Sequence, residues 1–428
     1  MILRDPIHGL VAFETAEEAI VPRLLEAREV QRLRRIRQLG LTSLSYPGAD
    51  HTRFSHAVGT AHVMRRFIGR MRAVHDALPR EQRVTPDHAR DLLAAALLHD
   101  VGHGPLSHLF EDAIPNSPSH EEYTARIVCD SATEVHGILA SFDPELPTRV
   151  AELVRGRHRL AYLARAVSGT FDVDRCDYLL RDAHFTGVGY GAFDLAWLLR
   201  SFRFGSPEAG ADSPTLAIDG PKGLPAIESF ILARLFMFQQ VYFHKASRAS
   251  EFMMTRLLAR ARAVLLDGTP LPGAPPALVA VARGGDTPLG AYLELDDHLL
   301  LSALSAWRDA PDPILADLAR RLYGRHLFKT YELLGDQLAD RQGALARARE
   351  VAADAGLDPD HFVGLDEASD VPFDDRQDSL TVLFPRGAPR KPGDVSFLLG
   401  RLRGERLERV RLLFAPELRE AIVGALEG

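Results

Sequence analysis

The chain has 428 residues, of which 46% are hydrophobic, enough to bury a large core. Its 51 lysines and arginines against 58 aspartates and glutamates leave a net charge of -7, which argues against bulk nucleic-acid binding as the main activity. Cys129 and Cys176 have no paired spacing, so neither a disulfide framework nor a thiolate zinc site is expected. With no long uncharged apolar run and no secretory leader, a soluble cytoplasmic protein without membrane contact is the expectation.

Helical periodicity or helix-former enrichment predicts helices over residues 18–40, 56–76, 88–99, 119–140, 146–167, 172–184 and 225–262. The second begins near His56. The third is an apolar run that ends in the adjacent pair His99-Asp100, with His103, His108 and Glu111 close behind. Ser119 and Glu122 form a capping-box pattern that puts His120 in the first turn of its helix. In Asp172-Val173-Asp174-Arg175-Cys176-Asp177-Tyr178 a carboxylate stands at or near another helix N-cap. Glycines and prolines around Thr215-Leu216-Ala217-Ile218 predict a short strand or hairpin within 204–224, and the Pro- and Gly-rich stretch 267–290 reads as a loop. Beyond residue 355, Leu380–Phe384 and Val395–Leu399 suggest strands. The fold class is therefore mainly α, a helical bundle over 1–335 with a short β insertion, and a small mixed α/β C-terminal lobe over 336–428.

The chemistry concentrates early in the chain, where His51, His56, His99, His103, His108 and His120 crowd into residues 51–120. An isolated His-Asp dipeptide is usually a helix-end feature, but here three helix-borne pieces present His56, His99-Asp100 and Asp174 as ligands for one ion. Imidazoles mixed with carboxylates suit manganese, iron, magnesium or zinc, and such an ion generates a hydroxide nucleophile near neutral pH. His108 and Glu111 stand at i and i+3, a spacing at which the carboxylate can orient the imidazole. His103 and His120 are candidates for phosphate binding or proton transfer. Asp174, Tyr178 and Asp182, at i, i+4 and i+8, share a helical face flanked by Arg175 and Arg181.

The order His56, His99-Asp100, Asp174 resembles the H...HD...D pattern of the HD-domain phosphohydrolases, an all-helical, metal-dependent superfamily. Asp5-Pro6-Ile7-His8-Gly9, Gln31 to Gly40, Tyr46-Pro47-Gly48-Ala49, His99 to Phe110 and Asp172 to Asp182 are similar, more narrowly, to the deoxynucleoside triphosphate (dNTP) triphosphohydrolases. That is the family of the sterile-alpha-motif and HD-domain protein and its bacterial homologues. The resemblance covers roughly the first three quarters of the chain and includes no separate sterile alpha motif. It implies release of inorganic triphosphate from a dNTP, with His108, Glu111, His103 and His120 acting at the α-phosphate. It further implies that Gln38 and Leu39 line the deoxyribose, that Asp182 receives the 3′-hydroxyl and that Tyr178 packs on the sugar. Arg53, Arg175 and Arg234 are the implied phosphate contacts, with Tyr242 beside the pocket. A homo-oligomer with an activating nucleotide is implied through Gln31, Arg34, His244, Lys245, Arg325 and Lys329. There the match is imperfect, since Met1 stands at a lysine position, Glu26 replaces an aspartate and Trp197 falls near an arginine position.

Two other readings share the sequence. Another HD-superfamily nucleotide phosphatase or phosphodiesterase would use the same ligands. A non-catalytic nucleotide or nucleic-acid sensor finds its strongest hint in the arginines from Arg32 to Arg37, a stretch that otherwise reads as a solvated or nucleotide-contacting helix face.

Overall fold

The computed structural model describes residues 1–114, 117–205, 214–282, 287–376 and 380–427. Helices dominate, as the periodicity predicts, and the ones that frame the site follow from local chemistry. Helix α1 (Arg53–Val74) and helix α2 (Pro86–Leu98) pack side by side. Thr85 starts α2 with a reciprocal capping box to His88 and Pro86 supplies a pre-set φ, while every residue from Leu92 to Leu98 is buried. A helix apolar on all sides belongs at the centre of a bundle, and α2 delivers His99 at its end. Helix α3 (His108–Ala113) is short, and α4 (His120–Cys129) is capped by Ser119, whose hydroxyl accepts from the Glu122 amide at 3.3 Å. Helix α5 (Val173–Thr186) starts at Asp172, which accepts from the Arg175 amide at 2.8 Å. Helices α6 (Gly220–Met237) and α7 (Lys245–Leu266) flank a wider π turn over Phe238–Tyr242.

Several expected long helices are broken where the chain turns without leaving the core. Residues 18–40 form Ile20–Glu26, Arg28–Arg32 and a 3-10 turn at Leu33–Arg35, because Ala27 is extended. The apolar periodicity runs through the break since Val21, Leu24, Leu25, Val30 and Leu33 all face one core. The stretch 119–140 divides at Thr133, which caps Glu134–Phe142, and 146–167 divides into Leu146–Val154 and Ala161–Val167. The stretch 225–262 begins earlier, at Gly220, with Pro221 in its first turn, and is interrupted by the π turn.

The strands are β1 (Ile2–Asp5), β2 (Gly9–Ala12), β3 (Phe202–Gly205), β4 (Thr215–Asp219), β5 (Lys329–Glu332), β6 (Val363–Asp370), β7 (Thr381–Leu383) and β8 (Leu407–Phe414). β1 and β2 form an N-terminal hairpin. β3 and β4 form the expected hairpin, and β7 adds to β4 in parallel. β5, β8 and β6 make an antiparallel sheet in that order. Chain from both sides of residue 336 thus shares each three-stranded sheet. The strand expected at Val395–Leu399 is instead helical, Pro392–Val395 followed by Phe397–Leu402, because Pro392 starts one turn and Ser396 caps the next through the Leu399 amide at 3.0 Å. The loop expected over 267–290 contains the helix Pro276–Ala282, with residues 283–286 outside the described ones.

Two apolar clusters result, one around α1, α2 and α5 and one around α7 and the β5-β8-β6 sheet. Among the arginines from 32 to 37, Arg32 is buried and Arg37 half-buried, while Arg34 and Arg35 stay exposed and still make contacts. Arg32 is 2% exposed and donates to the Leu295 carbonyl at 2.9 Å, Arg35 pairs with Asp296, and Arg34 lies 3.5 Å over the Phe54 ring. Among the described residues no helix is long and apolar enough to cross a membrane.

Candidate metal centre and active site

His56 sits in the first turn of α1, His99 at the end of α2 and Asp174 in the first turn of α5. His56 Nε2 lies 3.3 Å from His99 Nε2 and 3.0 Å from Asp174 Oδ1, and His99 Nε2 lies 3.4 Å from the same oxygen. Each imidazole has its other nitrogen bound: His56 Nδ1 donates to Asp177 Oδ2 at 2.8 Å, and His99 Nδ1 donates to the Ala96 carbonyl at 2.9 Å. The two Nε2 atoms therefore converge beside a carboxylate, an arrangement that a proton or a metal ion between them reconciles. The electrostatics agree. Burial alone would lower His56, but hydrogen bonds to Asp174 and Asp177 and their charges outweigh it and raise the imidazole to about 10. These three side chains could hold a metal ion.

Asp100 stands one step back. Its carboxylate pairs with Arg53, with Oδ2 3.6 Å from His56 Nε2 and Oδ1 3.4 Å from His99 Nε2. Burial opposes its ionisation, yet the charges of Arg53, His99 and His103 hold it well below the usual carboxylate range.

Beside it lies a second cluster, His103, His108, Glu111 and His120. His103 Nε2 is 3.2 Å from Asp100 Oδ1, and its ring stacks on His120 at 4.0 Å. The pairing expected between His108 and Glu111 is not the one formed. Glu111 turns toward α4, with Oε1 3.1 Å from His120 Nδ1 and 3.7 Å from His103 Nδ1, while the exposed His108 ring touches the edges of both other imidazoles at 4.9 Å. The cause is that α3 begins at His108, whose side chain faces solvent, whereas one turn on Glu111 faces the neighbouring helix. The turn after the His-Asp pair is pinned to α4. Thr124 Oγ1 donates to the His99 carbonyl and accepts from the Gly102 amide, and a Cβ on Gly102 would overlap the His120 carbonyl.

The loop that delivers His108 carries backbone strain. Leu106 and Ser107 adopt positive φ, 55° and 61°, without being glycine. Buried Asp297 holds them, accepting from the Leu106 amide at 2.7 Å and the Arg37 amide at 2.9 Å. Arg53 donates to Ser107 Oγ at 2.8 Å, and that hydroxyl donates to the Arg37 carbonyl at 3.1 Å.

A cavity of about 530 Å³ opens beside His108, lined among others by Gln38, Leu39, Tyr242, Arg248 and Asp366. Gln38 Oε1 is buried without a hydrogen-bond partner. Asp182 is clamped by His51 Nε2 and the Tyr242 hydroxyl, each at 2.8 Å, and the Tyr178 and Tyr242 rings lie 6.4 Å apart. Two of the arginines expected at phosphates are engaged elsewhere. Arg175 pairs with the helix cap Asp172 and donates to the Gly169 carbonyl at 2.6 Å, and Arg234 pairs with Asp370 at 2.9 Å.

The residues implied in regulation fall in different places. Gln31 accepts from Arg34 at 2.8 Å, and His244 packs edge-on against Tyr46. Lys245 is exposed. Arg325 and Lys329 line an open pocket with Arg320, Arg321 and His326. Sequence reasoning missed His51, Thr124, Asp177, Arg181 and Asp297 as site residues. Of these, His51 carried a signal in the histidine-rich stretch 51–120, and Asp177 and Arg181 carried one in their place inside the Asp172–Asp182 segment.

Residues 53–182 match the HD domain, the span that contains all four ligand candidates. The uncharacterized protein YwfO of Bacillus subtilis is 35% identical over 374 residues, covering 87% of this chain and 81% of that protein. The chain belongs to the HD-domain family. The deoxynucleoside triphosphate triphosphohydrolase SAMHD1 of Bos taurus is 26% identical over 77% of this chain, which spans 58% of that protein. A crystal structure of a phosphohydrolase from Bacteroides thetaiotaomicron superposes with a TM-score of 0.80 at 27% identity, covering 97% of this chain and 99% of that one. The HD-domain fold and these relatives support a hydrolase.

Two outcomes are expected. His99→Ala abolishes turnover and lowers metal content, measured by elemental analysis, while circular dichroism shows a folded protein; full metal occupancy with normal activity would defeat the centre. Asp297→Ala leaves the buried Leu106 amide unpaired, at about 1–3 kcal/mol, and frees the partly buried Arg37 amide. It also lowers kcat by about 10- to 100-fold because the His108 loop loses its anchor. Steady-state kinetics with a native rate would show that the loop holds its strain unaided.

Proposed function

We propose that the chain hydrolyses dNTPs to a deoxynucleoside and inorganic triphosphate. The observation that carries this reading is the cavity bounded by Gln38, Leu39 and Tyr242, with the Asp182 clamp attached to Tyr242, opening at His108, whose ring touches the His103 that contacts Asp100. A nucleoside in that cavity brings its α-phosphate to the histidine cluster.

His56, His99 and Asp174, with Asp100 adjoining, would hold a divalent ion, which when bound polarises the phosphate and lowers the pKa of water. In the overall reaction the water oxygen joins the α-phosphorus, the bond from phosphorus to O5′ breaks, and O5′ takes a proton. His108 is the exposed group at the cavity edge and the proton donor in this reading. Partial burial and the charge of Arg53 hold it below its ordinary value, so the free protein keeps it neutral near pH 7. A polyphosphate anion placed against it reverses that balance and makes it an acid only when substrate is present. Glu111 orients His120, and Asp100 orients His103, so that the cluster holds its protons in fixed directions. Tyr178 supports the deoxyribose and leaves little room for a 2′-hydroxyl, and Asp182 accepts from the 3′-hydroxyl with the lone pairs that His51 and Tyr242 leave free.

Incubation of the metal-loaded protein with all four dNTPs, followed by chromatography, is expected to show intact triphosphate. Orthophosphate or a nucleoside monophosphate would instead indicate another HD phosphohydrolase. Binding without turnover would indicate a sensor. Because Glu111 and His120 act as one unit, Glu111→Ala and His120→Ala should each depress kcat strongly, and the double variant should fall far short of the summed loss. Additive losses would separate the two residues.

The reading includes regulation of a homo-oligomer by a nucleotide. Its support is the Arg325–Lys329 pocket, where Arg325 Nε donates to the Leu44 carbonyl at 2.7 Å, next to the Leu41 and Thr42 that line the substrate cavity. Mass in solution and initial rates for each dNTP, with and without GTP or dGTP, are expected to show nucleotide-dependent assembly and activation that Arg325→Glu removes. A monomer with hyperbolic rates throughout would confine the proposal to catalysis.

A further inference from the structure

The segment Asp5-Pro6-Ile7-His8-Gly9 takes no part in the proposed reaction, yet it reaches the metal ligands through buried contacts. His8 Nε2 is 2.7 Å from Asp177 Oδ1, with the His8 side chain 3% exposed. The same carboxylate accepts from His56 Nδ1 at 2.8 Å and from Arg181 twice, Nε at 2.8 Å and Nη2 at 2.9 Å. Asp177 is fully buried and its two oxygens thus take four N–H donors, which fills its acceptor sites. Arg181 Nη1 lies 2.9 Å from Asp5 Oδ2, and Asp5 Oδ1 accepts from the Ile7 and His8 amides at 2.9 Å each. Asp5 therefore shapes the turn that aims His8 and also answers the charge of Arg181. The space is full: a Cβ on Gly59, one turn along α1 from His56, would overlap both Asp177 Oδ1 and Arg181 Nη2.

We propose that Asp5 and His8 are positioning residues for the metal centre, holding His56 through Asp177 in the tautomer and direction a metal ligand needs, so that docking of the N-terminal hairpin and metal binding are linked. The proposal rests on the His56, His99 and Asp174 centre described above. With His8 in place, Asp177 is locked with Oδ2 against Nδ1 of His56, which keeps Nε2 toward His99 and Asp174. Remove His8, and Asp177 Oδ1 loses a donor in a site closed to bulk solvent; the carboxylate then has room to turn and His56 turns with it. Linkage makes the effect reciprocal. A metal that binds better to the docked state must favour docking by the same factor.

The test measures Mn²⁺ affinity of the purified full-length protein by calorimetry, with Fe²⁺ and Zn²⁺ run alongside, for the native chain and for His8→Ala, His8→Gln, Asp5→Asn and His99→Ala. His8→Ala is expected to weaken metal binding about 10- to 100-fold. His8→Gln, whose amide reaches the place of Nε2, should restore most of it. Asp5→Asn keeps the turn but drops the charge facing Arg181, and should lie between; it also serves if His8→Ala does not fold. Hydrogen exchange of amides 2–12 should slow when metal binds the native chain, and not in His99→Ala. A merely structural role would lower thermal stability equally with and without metal and leave the affinity unchanged. Native affinity in both His8→Ala and Asp5→Asn, or exchange in the hairpin that ignores the metal, overturns the proposal while leaving the centre standing. A native chain that binds none of the three ions, indistinguishable from His99→Ala, overturns the centre and the proposal with it.

Discussion

A buried carboxylate cannot stay ionised without donors, and Asp177 has four. Around that requirement much of the site is arranged. Helix α5 supplies Asp177 and, one turn on, Arg181; helix α1 brings His56 to one oxygen and must carry glycine at position 59 to let the carboxylate in. Arg181 and Asp177 oppose each other in charge within a space closed to water, so neither can move without exposing the other. Their rigidity is passed to His56, and from His56 to the point where three ligand atoms meet.

A second layer of constraint acts on the histidine cluster from the opposite side. Arg53 joins the two layers, since its guanidinium contacts both Asp100 and Ser107. Its charge helps keep Asp100 ionised and helps hold His103 and His108 neutral, after the burial that is the larger effect on both imidazoles. One arginine thus divides the site into an anionic half around Asp100 and a neutral imidazole half around His103 and His108. The residue stood among the expected phosphate contacts, and its position between the halves explains why it takes up that charge without reaching into the cavity.

The candidate ligands could be picked out because metal chemistry restricts such residues to few types and because each lies at a helix end, which capping and periodicity reveal. His56, His99 and Asp174 could be read for that reason, and Ser119 marked the start of α4 correctly. The partners of those groups were less legible. Glu111 was matched to His108 by spacing on one helix, whereas tertiary packing gave it to His120 nine residues away. Asp297, which holds the strained loop, is separated from Leu106 by 191 residues, and no local pattern carries such a link. Residues 18–40 kept one apolar rhythm across an extended Ala27, since two short helices bury the same face as one long helix would. Val395–Leu399 offered a strand's composition, but Pro392 and Ser396 set helical turns there.

The order of the chain separates two assemblies in time. Every metal-ligand candidate, and the hairpin, helix turns and ion pairs that orient them, lies within the first 182 residues, from Asp5 to Asp182. The cavity's far wall comes later, from Tyr242 to Arg256 on one side and from Leu365 to Glu367 on β6, which is itself paired to the strand nearest the C-terminus. During synthesis the candidate centre therefore emerges complete while the cavity still lacks a side. An ion could reach those side chains from open solvent at that stage, before the later walls of the cavity have been made.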